Sequence, residues 1–202
     1  MKREKPILFS TLMIQAILAG RKTQTRRIIK PQPQENDHPD KLGKFWWKGS
    51  HGWDERQLIP LCPYGQIGDI LWVRETFIPP MGYGTISRYI YKATEDLDCF
   101  KGLWKPSIFM PKEACRIKLE ITNIRVEKLQ NISEEDVIAE GIIGVQRPGG
   151  FGFGLKKEWD YKFPLHERTP IDAYRMLWEK INGKDSWFVN PLVWVIEFKI
   201  AL

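Results

Sequence analysis

Residues 115–128 constrain the fold more than any other stretch of this chain. Ile117, Leu119 and Ile121 fall at every second position, and Ile124 and Val126 resume the alternation after a slip in phase at Thr122-Asn123. Period-two spacing of that length predicts a long strand with one buried face. The slip predicts a bulge or bend of the kind a small barrel needs to curve its sheet.

Shorter signals lie on both sides of this strand. Ile7-Leu8-Phe9 reads as an opening strand, and Ser10 or Thr11 caps a helix with Leu12, Met13, Ala16, Ile17 and Leu18 on its apolar face. Gly20 stands where a helix C-cap tolerates positive φ. Residues 69–77 read as a strand announced by the turn Gly65-Gln66-Ile67-Gly68, residues 89–93 as a weaker strand, and residues 193–200 as the closing one. Ser133-Glu134-Glu135-Asp136 opens a short helix ending at Gly141. Thr169-Pro170 caps a last helix with Ala173, Met176, Leu177, Trp178 and Ile181 inward and Gly183 after it. Short, non-repeating strands with helices at the edges predict an α+β domain built on a small, mostly antiparallel β-barrel with flanking helices.

Two stretches break the pattern and read as loop insertions within one domain spanning residues 1–202. Residues 31–66 are rich in Pro, Gly, Asn and Asp, and they hold the patch Lys44-Phe45-Trp46-Trp47-Lys48. In the second, residues 144–168, the run Gly149-Gly150-Phe151-Gly152-Phe153-Gly154 has no following Lys-Ser/Thr, so it is not a phosphate-binding P-loop. A surface loop or a flap is expected there.

Composition removes several classes. An apolar share of 43% supports a packed core, and no apolar run reaches the length of a membrane span. Three widely spaced cysteines, Cys62, Cys99 and Cys115, suit a reducing cytoplasm better than a disulfide framework. His38, His51 and His166 form no ligand pair at metal-binding spacing, so no metal and no cofactor is expected. Neither a reactive-cysteine environment nor a Gly-x-Ser-x-Gly elbow is present.

Charge is concentrated. Lys and Arg number 31 against 25 Asp and Glu, a net of +6. Residues 1–30 hold eight basic side chains and one acid, so they carry +7 and the rest of the chain is about neutral. Such a field favours an anionic partner, a nucleoside derivative or RNA, although a plain solvated basic face has the same composition.

The densest chemistry lies in Gly20-Arg21-Lys22-Thr23-Gln24-Thr25-Arg26-Arg27. Cations beside Lys22 (Arg21, Arg26 and Arg27) disfavour its protonated form, and a neutral lysine serves as base for a threonine hydroxyl. Nearby arginines hold a phosphate or a polar base edge. A basic surface loop explains the same residues, and chemistry alone leaves both readings open.

The spacing Gly20-x-Lys22 with Arg27 five residues on resembles the signature of the ASCH family, which has a PUA-like β-barrel fold. With Thr23 and Thr25 the segment is similar to that of small bacterial ASCH enzymes that hydrolyse N4-acetylcytidine. The resemblance implies catalysis by Lys22, Thr25 and Glu140, the last placed six residues after Glu134 in the short helix. It also implies a pocket in which Arg21, Arg26, Arg27, Arg74, Trp72 and Glu75 bind substrate. Period-two alternation puts Trp72 and Arg74 on one strand face and Glu75 on the other. The insertions have no counterpart in the short enzymes, and the whole chain is similar to longer ASCH-type proteins of phages and prophages. Two functions follow as expectations. One is an amidohydrolase acting on an acylated cytosine nucleoside, and the other is a non-catalytic module binding RNA or a modified base. For the enzyme, Lys22, Thr25 and Glu140 are expected to meet in a cleft at the barrel's rim, and Glu140 on the opposite side of the fold would leave only the binding module.

Overall fold

The computed structural model describes residues 2–32, 59–81, 86–95, 98–147, 150–155 and 169–201. In chain order the regular elements are β1 (Glu4–Leu8), α1 (Thr11–Leu18), β2 (Gln24–Ile28), β3 (Ile70–Arg74), β4 (Phe77–Ile78), β5 (Ile90–Tyr91), β6 (Lys118–Lys128), α2 (Glu134–Ala139), β7 (Ile143–Arg147), β8 (Gly150–Gly154), α3 (Pro170–Asn182) and β9 (Leu192–Ile200). The fold is mixed α+β with mostly antiparallel strands.

Five strands form the main sheet in the order β1-β3-β6-β9-β2, with β1 parallel to β3 and the other pairs antiparallel. The β6–β9 ladder shifts register between Ile121 and Asn123, where the sequence slips phase. After the shift the alternation continues, so one face stays apolar along the whole strand. Leu71, Val73, Leu119, Ile121, Ile124, Val126, Trp194 and Ile196 fill that inner face and pack with Phe9, Ile14 and Ile17. On the outer face, Val193 and Val195 pack with Val137 of α2 and with Tyr174 and Trp178 of α3.

The expected barrel does not close. β1 and β2 remain as the two edges of the ladder, and α1 is the connection between them. Across that gap the edges meet through a side chain, since Arg27 Nη2 donates to the Leu8 carbonyl at 2.6 Å. A second difference concerns the glycine-rich run, whose residues 150–154 form strand β8, paired antiparallel with β7, rather than an open loop. Alternation resolves it, because Phe151 and Phe153 recur at period two and Phe153 packs against the α2–α3 cluster. The stretch read as one strand over 69–77 is divided at Glu75-Thr76 into β3 and β4. Most of the first insertion and residues 156–168 of the second lie outside the described residues.

Caps fix the helix starts. Ser10, Ser133 and Thr169 each accept a hydrogen bond from the backbone N–H three residues on, at Met13, Asp136 and Asp172. α1, at eight residues, and α2, at six, are too short to persist alone and are held by burial. Met13, Ile14 and Ile17 are buried on α1, each contributing about 1.5–3 kcal/mol on removal from water.

Candidate functional site

The turn after α1 is held from three sides. Gly20 ends the helix with φ of 69°, and the Arg21 and Lys22 N–H groups both donate to the Ala16 carbonyl. Thr23 N–H donates to the Ala139 carbonyl at the end of α2 at 2.9 Å, and the Thr23 carbonyl accepts from Phe198 of β9 at 2.8 Å. Arg21 Nη1 donates to the Gly141 carbonyl at 3.2 Å. Gly141 itself has φ of 99°, and a Cβ there would lie 3.1 Å from Ala16 Cβ and 3.2 Å from Lys22 Cβ. Only glycine supplies both the backbone angle and the clearance.

Lys22 is consequently buried, at 2% exposure. Its Nζ donates to Glu140 Oε2 at 2.6 Å, to the Gln24 carbonyl at 2.7 Å and to the Glu140 carbonyl at 3.0 Å. Three acceptors match the three protons of an ammonium. Burial pulls the Lys22 pKa down from its ordinary value, Glu140 pulls it back up, and Arg27 and Arg26 add smaller downward pushes. Desolvation, more than the neighbouring cations invoked from sequence, is therefore what destabilises the charged form.

Strand alternation sends the β2 side chains to two environments. Gln24 and Arg26 face outward in register with Glu197 and Val195 of β9, which pair in turn with Asn123 and Arg125 of β6. There Arg26 reaches Glu127 through Nε at 3.0 Å and through a short Nη2 contact. It also reaches Asp136 at 2.7 Å and Glu140 Oε1 at 3.5 Å. Arg125 holds the same Asp136 at 2.8 Å and also engages Glu197. Tyr174 of α3 donates its hydroxyl to Glu140 Oε1 at 3.5 Å, and burial followed by that carboxylate keeps the phenol protonated well above its usual range. Sequence reasoning missed Tyr174, Asp136, Arg125 and Glu127. The last two were legible, since they fall in phase on the polar side of β6.

Thr25 and Arg27 take the inner face, opposite Ile196 and Trp194. Thr25 is buried, and its hydroxyl makes no hydrogen bond to Lys22 or Glu140 among the described residues. Phe9 joins this side to the lysine, with Lys22 Nζ 5.7 Å and Arg27 Cζ 5.3 Å from its ring centroid. Beyond Arg27 a cleft of about 420 Å³ opens, with Lys30, Tyr64, Asn182 and Trp194 also in its wall. Lys22, Thr25 and Glu140 do not line that cleft.

The remaining expected pocket residues go elsewhere. Leu71 and Val73 occupy the inner face of β3, so Trp72 and Arg74 point out of the sheet's opposite side, away from the face that carries Thr25 and Arg27. Arg74 donates to the carbonyls of Met110 and Ile108 and lies 5.5 Å from the Trp72 ring centroid. Glu75, 1% exposed, holds Arg116 through a two-pronged pair at 2.8 and 2.9 Å. Arg74, Trp72 and Glu75 thus join neither the lysine pair nor the cleft.

No group of His, Cys, Asp and Glu able to hold a metal ion occurs among the described residues, and the three histidines lie outside them. Among the same residues no helix is long and apolar enough to cross a membrane. Compared with known proteins, the chain matches no family model, no curated protein and no solved structure.

Proposed function

We propose that the protein is an amidohydrolase that removes an acyl group from the exocyclic nitrogen of a cytosine nucleoside or nucleotide. The observation that carries this reading is the buried Lys22–Glu140 contact at 2.6 Å, formed by residues 118 positions apart at the two places the ASCH resemblance implies. A solvated basic loop has no need of such a partner.

Chemically, the pair is a proton store. Desolvation lowers the lysine pKa, so moving one proton across the contact onto Glu140 leaves a neutral amine. That amine accepts the Thr25 hydroxyl proton as the oxygen attacks the acyl carbonyl. Collapse of the adduct breaks the C–N bond and returns a proton to the leaving amine. Water then cleaves the threonine ester and releases the acid. Arg27, on the same strand face as Thr25, adds positive charge to the side on which substrate would bind. For this sequence Lys22 must swing from the Gln24 carbonyl toward Thr25.

The test is turnover of N4-acetylcytidine to cytidine by the whole chain, beside a Thr25→Val control of similar volume. Product with the native chain and none with the variant, at unchanged melting temperature, supports the assignment. Absence of product from every acylated cytosine derivative tried overturns it. Salt-sensitive affinity for RNA without turnover would favour a binding module, the reading to which the cleft beside Arg27 lends weight.

A further inference from the structure

We infer that the cleft beside Arg27 is an anion subsite that receives a phosphoester attached to the nucleoside. This deepens the nucleoside reading above and rests on it for the identity of the base. It would make a nucleotide, not a free nucleoside, the preferred ligand.

Four observations carry the inference. The cleft, at about 420 Å³, falls in the size class of small-molecule sites, roughly 300–1,000 Å³. Its wall holds two cations, Arg27 and Lys30, and no carboxylate among the described residues. By contrast, Arg26 on the outer face meets three carboxylates. Arg27 is also incompletely used. Nη2 is fixed on the Leu8 carbonyl at 2.6 Å and the guanidinium lies over Phe9, yet Nε is buried with no acceptor. A buried guanidinium N–H without a partner is uncommon, and a small rotation of the side chain toward an anion in the cleft would give it one. Tyr64 and Trp194 add aromatic surface to the same wall.

The direction of the cleft fits this ligand. Exposure rises from buried Thr25 through half-buried Arg27 to exposed Lys30. At strand rise, Arg27 lies about 7 Å from Thr25 along the backbone, and Lys30 lies just beyond the end of β2. Thr25 itself lies behind the wall of the cleft, so a nucleotide held with its base toward the Thr25 end places its sugar and phosphate outward, past Arg27 toward Lys30. The phosphate has two sources, a mononucleotide or the backbone of an RNA strand, and both present the same chemistry to the two cations.

Calorimetric titration of the whole chain with cytidine, cytidine 5′-monophosphate and a short oligocytidylate separates the outcomes. The monophosphate is expected to bind about tenfold or more tightly than cytidine, with the gap narrowing as salt rises. Lys30→Ala, an exposed change, and Arg27→Lys, which keeps charge but removes Nε, should each bring that ratio toward one. A preference seen only with the oligonucleotide, and abolished by the same variants, keeps the subsite and assigns its phosphate to RNA. Equal affinity for cytidine and its phosphorylated forms, no binding by any of them, or indifference to Lys30→Ala overturns the inference. Because binding is read without chemistry, loss of the hydrolase reading would show instead as a failed turnover assay with this ratio intact.

Discussion

Glu140 meets the Lys22 ammonium twice, through its carboxylate at 2.6 Å and through its own main-chain carbonyl at 3.0 Å. The first contact is an ion pair, and the second satisfies a carbonyl at the C-terminal end of α2, where a cation is favoured. Glu140→Gln keeps the carbonyl contact and the side-chain shape but strips the charge, leaving an ammonium buried without its counterion. Denaturant unfolding should show a loss of about 3 kcal/mol. Combined with Lys22→Met, the total cost should be smaller than the two single losses added together. Simple additivity would mean the two groups are not coupled.

Asp136 predicts the acid limb of stability. Burial pushes its pKa upward, but hydrogen bonds from Arg125 and Arg26 outweigh that and hold it below the usual carboxylate value. The folded state therefore binds fewer protons than the unfolded chain, and stability contributed by this group is complete above an unfolded pKa of about 4 and lost as pH falls through the folded value. Melting temperatures recorded from neutral pH downward should place Asp136→Asn below the native protein near pH 7. The two curves should converge in strong acid. Parallel curves at every pH would contradict this.

Two glycines with positive φ should differ in tolerance. At Gly141 an added methyl meets both Ala16 and Lys22 closer than 3.4 Å, whereas at Gly20 nothing lies within 4 Å. Gly20→Ala carries only the backbone penalty, on the order of 1 kcal/mol. Gly141→Ala adds overpacking and should lose about 2–3 kcal/mol. Thermal melts of the two variants rank them directly, and equal losses would refute the close approach.

Thiol reactivity gives a packing test. Burial pushes the Cys62 thiol up to about 11, and burial also raises Cys115, while Cys99 is exposed. Alkylation of the native protein at mildly alkaline pH, followed by mass spectrometry, should label Cys99 first and Cys62 last. Rapid labelling of Cys62 would mean that its part of the core opens readily.

What was legible in the sequence was local. The phase slip at Thr122-Asn123 became the register shift of β6, and the Ser10, Ser133 and Thr169 caps stand where their spacing put them, because each depends on residues within one turn or one strand. Convergence was harder. The resemblance brought Glu140 to Lys22, but no local signal near Lys22 reveals that its turn docks on the end of α2, which seals the amine from solvent instead of leaving it in a cleft. Arg74 was misplaced for a related reason. Alternation correctly paired it with Trp72, but which face of β3 is interior depends on Leu119 and Ile7 in the neighbouring strands. The pairing of Glu75 with Arg116, 41 residues later, has no signature in either segment.

One bond described with the fold has a mechanical meaning. Where backbone ladders stop, a single guanidinium on β2 ties the edge strands together through the Leu8 carbonyl. A zipper of main-chain bonds opens only by unpairing strands, but this clasp releases with one rotamer change and leaves every ladder intact. The gap between β1 and β2 is thus the line along which the sheet should open most readily. Since the clasp residue also lines the cleft, any ligand that engages it sets how freely that line breathes. Amide exchange near Leu8 and Arg27 would then report occupancy of the cleft from within the scaffold itself.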